Sequence, residues 1–144
     1  MHDLPPEECI NRLINQAARL GVEVRWLLSG NPQRPQGLYQ APPDRPGVIE
    51  LRIGTNPSPS TTLCQLLTHE MVHVLQHWHA DLKAVLPLGW PKNGPAAQQG
   101  RLSPHEAEAF RAQDQPAKVL RALSQLAPVP SNGNKPANAT PSIE

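Results

Sequence analysis

Aromatic side chains are scarce in this chain, with three Trp, one Tyr and one Phe among 144 residues. With so few large rings and a length near one ordinary domain, a multidomain enzyme or a large cofactor-binding fold is excluded, and one modest core is expected. Cysteine is limited to Cys9 and Cys64, both in apolar helical surroundings and far apart in sequence. A disulfide framework is not expected from that spacing, and both read as buried thiols. No charge of one sign dominates, because 13 basic and 12 acidic side chains leave a net +1. That balance cannot supply the positive field that nucleic acid or an anionic membrane attracts. Long apolar runs are missing too: no window approaches the roughly 18 residues of a membrane span. The opening MHDLPPEECINRLI is acidic and proline-rich where a secretory leader would be basic and then apolar, so a cytoplasmic location is expected. What is abundant is proline, 18 residues of 144, well above the usual ~5 per cent. The folded part is therefore expected to be smaller than the chain.

Periodicity divides the chain into a helix, a small sheet and further helices. Ile10, Leu13, Ile14, Ala17 and Leu20 recur at helical spacing, with Glu7 and Glu8 in the first turn and Gly21 placed to end it. Val22 to Trp26 alternates apolar and charged residues as a strand, and Gly37 to Gln40 is a short second strand inside a proline-rich loop over 31 to 47. Val48 to Ile53 alternates again, its charged side suiting a sheet edge. Ser58-Pro59 is a helix-opening pair, and the helix it starts is expected to run to about Ala80. After a loop over 87 to 102, Ser103-Pro104 repeats that signature, and Pro116 divides the next stretch into helices near 104 to 114 and 116 to 126. The expected architecture is α+β: a single domain over 1 to 126 and a disordered tail over 127 to 144, whose residues offer almost nothing to bury.

The central helix carries the segment His69-Glu70-Met71-Val72-His73. Two histidines four apart on a helix lie about 40° apart around its axis and one turn apart along it, so both imidazoles can reach one Zn2+ ion. Glu70, about 100° round, is placed to reach a water on that metal and act as general base. Leu63, Leu67, Met71, Val74, Leu75, Trp78 and Leu82 fall on the opposite side as an apolar stripe. The competing reading is a solvated helix face with histidines at this spacing by chance.

With this motif the chain resembles the zincins, the superfamily of zinc metallopeptidases that carry His-Glu-x-x-His on the active-site helix. The resemblance covers about Gly47 to Gln113. It implies a minimal zincin-like domain whose edge strand binds substrate peptide in extended form, a role that would fall to Val48 to Ile53. Two branches differ in their third ligand. Gluzincins take a glutamate from a downstream helix, and Glu106-Ala107-Glu108-Ala109-Phe110 is similar to that run, most of all to the one in small phage-repressor-degrading and stress-response peptidases. Metzincins place a third histidine where His79 stands here.

Gln76 occupies the metzincin glycine position and favours continuation of the helix, which sets His79 about 15 Å and His77 about 12 Å along the axis from His69. With methionine only at positions 1 and 71, no methionine turn can lie beneath a metal. His77 reads as a surface or supporting residue. Glu106 shares a helical face with Ala109, Phe110 and Gln113, whereas Glu108 points about 200° away towards water. Glu106 is thus the preferred third ligand, with Glu108 and His79 as alternatives. A rival role for Glu106 is the capping box Ser103-Pro104-His105-Glu106, in which its carboxylate would bond back to the Ser103 amide. Tyr39, His105 and Arg111 are candidate oxyanion stabilisers, and Trp90 a candidate cleft wall.

The expected function is zinc-dependent peptide hydrolysis: His69, His73 and Glu106 hold Zn2+, Glu70 is the catalytic base, and the partner is a peptide or protein substrate. The alternative is a catalytically inactive zinc-binding interaction module.

Overall fold

A computed structural model describes residues 4–28, 36–54, 59–91 and 102–129. Within them the chain forms α1 (Pro6–Leu20), β1 (Glu23–Leu28), β2 (Gln36–Gln40), β3 (Val48–Ile53), α2 (Thr61–His79), α3 (Pro104–Ala112) and α4 (Pro116–Ser124). The result is a small α+β fold of four helices on a three-stranded mixed sheet. No helix among the described residues is long and apolar enough to cross a membrane.

Helix α1 starts at proline, whose missing N–H costs nothing in a first turn. It ends where Gly21 adopts a left-handed φ of 82°. The Val22 amide then reaches back to the Ala17 carbonyl at 2.8 Å, closing the helix end. Cys9, Ile10, Leu13, Ala17 and Leu20 form its buried face.

The strand order is β1-β3-β2. Strand β1 pairs parallel with β3, Val24 opposite Ile49, and β2 pairs antiparallel, Tyr39 opposite Ile49. Val48–Ile53 is therefore the central strand, not the edge. Its alternation does separate one dry face from one wet face: Ile49, Leu51 and Ile53 are buried, and Arg52 is exposed. Alternation reports which face is wet and says nothing about position within the sheet. Here the charges look out from the open face, where Arg25 and Glu50 approach to 3.8 Å across the β1–β3 pair.

Helix α2 is opened by Ser60, whose hydroxyl accepts from the Leu63 amide at 3.1 Å. Ser58, the expected cap, lies outside the described residues. The helix stops after His79 because Asp81 and Leu82 take left-handed φ values of 56° and 63°. It is the axis of the fold, touching α1, α3, α4 and β2. Apart from Gln65 and Leu66, every residue from Leu63 to His77 is buried. Such burial on all sides leaves no solvated face for the histidines. Pro116 separates α3 from α4 as expected, and Val119 and Leu123 anchor α4 in the core. Arg19 of α1 donates to the carbonyls of Leu123 and Leu126 at the end of α4. The tail is described only as far as Val129, so the expectation for the rest lies outside the described residues.

The cysteines correct the sequence reading. Cys9 and Cys64 form a disulfide that staples α1 to α2, with Cα atoms 5.9 Å apart. Both are fully buried, and the partners stand 55 residues apart. Two helices that share one face brought together residues whose sequence separation gave no hint of it.

Candidate metal centre

His69, Glu70 and His73 are 8%, 4% and 6% exposed, set into one side of α2 at the foot of a cleft. The two imidazoles stand edge to face with centroids 5.0 Å apart. Helix α3 lies against this stretch and brings in Glu106, whose Oε1 is 3.0 Å from His69 Nε2 and 3.2 Å from His73 Nε2. One ligand atom from each of the three residues falls within 4.8 Å of the others. The capping-box alternative does not form: Ser103 makes no side-chain cap bond, and Glu106 turns to the histidines instead.

The far side of each imidazole is fixed as well. His69 Nδ1 is 3.2 Å from Gln113 Oε1, and His73 Nδ1 is 2.7 Å from Gln76 Oε1. For His73 the orientation follows from chemistry. The Gln76 amide nitrogen donates to two groups that only accept, the His105 carbonyl and the Glu108 carboxylate, each at 2.9 Å. Its oxygen must then face His73, and Nδ1 must carry the proton. Burial foremost depresses the His73 pKa, although hydrogen bonding to Gln76 and the charge of Glu106 oppose it. A neutral ring with its proton on Nδ1 aims the Nε2 lone pair at the Glu106 oxygen. Two lone pairs converging in this way are bridged by a proton or by a metal cation, and the three-residue donor set could hold a divalent metal. For Glu106 itself, burial raises the pKa, but the pull of His73 and His69 outweighs it and holds the carboxyl below its ordinary range.

Glu70 faces the same cleft from the opposite side, against strand β2. It lies so near Gly37 that a Cβ there would come within 3.0 Å of Oε2. Burial, and next the negative charge of Glu106, push its pKa up to about 8, with the Tyr39 amide pulling the other way. Sequence reasoning placed Glu70 but missed Gly37. The isolated glycine in a short strand was the available signal, since it marks close approach of another group.

The cleft has a volume of about 760 Å3 and is walled by β2, α2 and α3, with Leu38, Leu66, Val85, Leu102 and Phe110 supplying apolar surface. The strand that runs along it is β2, which corrects the assignment of that place to Val48–Ile53. His105 joins the wall, its ring 5.6 Å from that of His73. Tyr39 also lines the cleft, but its hydroxyl is committed elsewhere, lying 2.7 Å from His77 Nδ1 and accepting from the Gly47 amide at 3.1 Å. Burial raises its pKa to about 12, against the opposing Gly47 bond. Arg111 and Trp90 sit apart, around a smaller recess with Glu108, and Lys118 covers the Trp90 ring at 4.4 Å.

Two other expectations meet a different arrangement. Glu108 is 1% exposed rather than solvated, and its carboxylate accepts from the amides of Leu88, Gly89 and Trp90 as well as from Gln76. Burial raises its pKa, yet these donors together bring it below the ordinary carboxylate range. A helical wheel shows that Glu108 leaves the Glu106 face. It cannot show that the 88–90 segment folds over the face so exposed. His77 is fully buried rather than at the surface: Nε2 donates to the Pro42 carbonyl at 3.0 Å, leaving Nδ1 to accept from Tyr39. His79 is exposed at the end of α2 and stands outside the cluster.

Comparison of the chain with protein-family profiles, with curated proteins and with solved structures finds no match.

Proposed function

We propose that this protein is a zinc-dependent peptidase of the zincin type, with a gluzincin-like ligand set of His69, His73 and Glu106 and with Glu70 as general base. The observation that carries this reading is the convergence of three ligand atoms within 4.8 Å on the cleft side of the helix bearing Glu70. Bound zinc supplies Lewis acidity, lowering the pKa of water towards ~7 and polarising a carbonyl oxygen.

The residues of the chain do the rest. Glu70 takes a proton from the attacking water at a carboxylate oxygen and passes it to the leaving amine nitrogen. The missing side chain at Gly37 lets strand and base approach closely. Strand β2 is an edge strand along the cleft, suited to receive an extended peptide, while Leu38, Leu66 and Phe110 shield the reacting groups from bulk water.

The test pairs zinc content with a broad peptide-cleavage screen on the wild type and Glu70→Gln. Stoichiometric zinc in both, with turnover in the wild type alone, is the expected result. Zinc without turnover in either would favour an inactive binding module, and turnover retained by Glu70→Gln would remove the mechanism.

A further inference from the structure

Gln76 and Glu108 lie outside the three-residue cluster, yet both are buried as deeply as any core residue, at 0% and 1% exposure. A buried carboxylate and a buried carboxamide in contact are costly unless every polar atom is bonded, and here they are. Leu88 and Gln76 donate to one Glu108 oxygen, and Gly89 and Trp90 to the other, at 2.7 to 2.9 Å. The Gln76 nitrogen also donates to His105, and its oxygen meets His73 Nδ1.

We propose that Glu108 and Gln76 form a relay that fixes the tautomer of His73, and through it sets the affinity of the His69, His73 and Glu106 cluster for a divalent metal. This rests on the metal-binding reading above. Glu108 only accepts, so it holds the Gln76 amide nitrogen towards itself and keeps the amide oxygen on His73. With its proton held on Nδ1, His73 presents an Nε2 lone pair to the cluster. Were Gln76 to turn over, its NH2 group would face Nδ1, the ring proton would move to Nε2, and the ligand would be blocked by its own hydrogen. Glu108 and Gln76 are thus positioning residues: neither touches the cluster's centre, and both act through His73. The same carboxylate carries the 88–90 segment, so loss of that anchoring reaches the metal site through one side chain.

The experiment uses the full chain. Long-range proton–nitrogen correlation on metal-free protein reads the His73 tautomer, and competition with a chelator reads zinc affinity. Wild type is expected to carry the proton on Nδ1. Glu108→Gln, in which an NH2 group replaces an acceptor, and Gln76→Met, which cannot accept from Nδ1, are expected to shift it towards Nε2 and to weaken zinc binding by about 10- to 100-fold. A neutral wild-type ring protonated on Nε2 instead of Nδ1 overturns the relay without reference to any variant. So do folded variants that keep Nδ1–H and bind zinc within about twofold of wild type. A wild type that takes up no zinc overturns the function proposed above, and the relay is then judged by the tautomer alone.

Discussion

The Tyr39 hydroxyl donates to Nδ1 of His77 across 2.7 Å and ties the edge strand of the sheet to the central helix. The direction of that bond follows from His77 Nε2, which faces the Pro42 carbonyl and so carries the ring proton. The same hydroxyl accepts from the Gly47 amide, so one oxygen organises the turn between β2 and β3. Tyr39→Phe would strand a buried imidazole nitrogen and a buried amide, at about 1–3 kcal/mol for each group. The expected loss is about 2–6 kcal/mol in urea unfolding with the m-value unchanged. A variant as stable as wild type would show that the bond contributes nothing.

Glu70 makes the metal-free protein sensitive to pH in a definite direction. Its pKa rises from 4.5 in the unfolded chain to about 8 in the fold. Its contribution is fully present below pH 4.5, declines as the unfolded state ionises, and is lost by the time pH passes about 8. The span corresponds to roughly 4–5 kcal/mol at about 1.4 kcal/mol per unit. In the presence of chelator, Glu70→Gln should gain stability relative to wild type steadily from pH 5 to 8. Parallel stability curves over that range would refute the shift.

Gly37 tests the fit between strand and base. An alanine Cβ there meets Glu70 Oε2 at 3.0 Å and Leu66 Cδ1 at 3.1 Å, so the carboxylate has to move by a few tenths of an ångström. Under the proposed mechanism, Gly37→Ala should lower kcat by about tenfold, since small misplacements of reacting groups are costly. Zinc affinity should be unaffected, because Gly37 does not approach the cluster. A loss of zinc with retained turnover per bound metal would contradict that division of labour.

The disulfide is checked by thiol titration and by stability. Native protein should show no reactive thiol, and denatured, reduced protein should show two. Replacing both Cys9 and Cys64 by alanine opens a 55-residue loop and is expected to cost about 4 kcal/mol by loop-closure entropy. Two thiols titrating in the unfolded, unreduced protein would exclude the bond.

Much of this molecule could be read from one dimension. Periodicity located α1, β3 and α2 within a few residues, because a one-sided core imposes its repeat on whatever packs against it. The proline at the first position of each of α3 and α4 marked their starts, since proline is tolerated in a first turn and little further on. Two histidines one turn apart share a face by helix geometry alone, and no fold is needed to say so.

What lay beyond reach was whatever depends on a second element arriving. Burial of Glu108 required the 88–90 segment to fold over it, and that of His77 required Pro42 and Tyr39 to close against α2. Central placement of β3 depended on which neighbours it recruited, while its alternation recorded only a dry side and a wet one. The Cys9–Cys64 bond needed two helices to meet along one seam. The residues themselves determined which groups can do chemistry and which face of each element carries them, for these are properties of local covalent geometry. Only the tertiary structure decided which of those groups meet, because contact between distant segments depends on packing that no local pattern encodes.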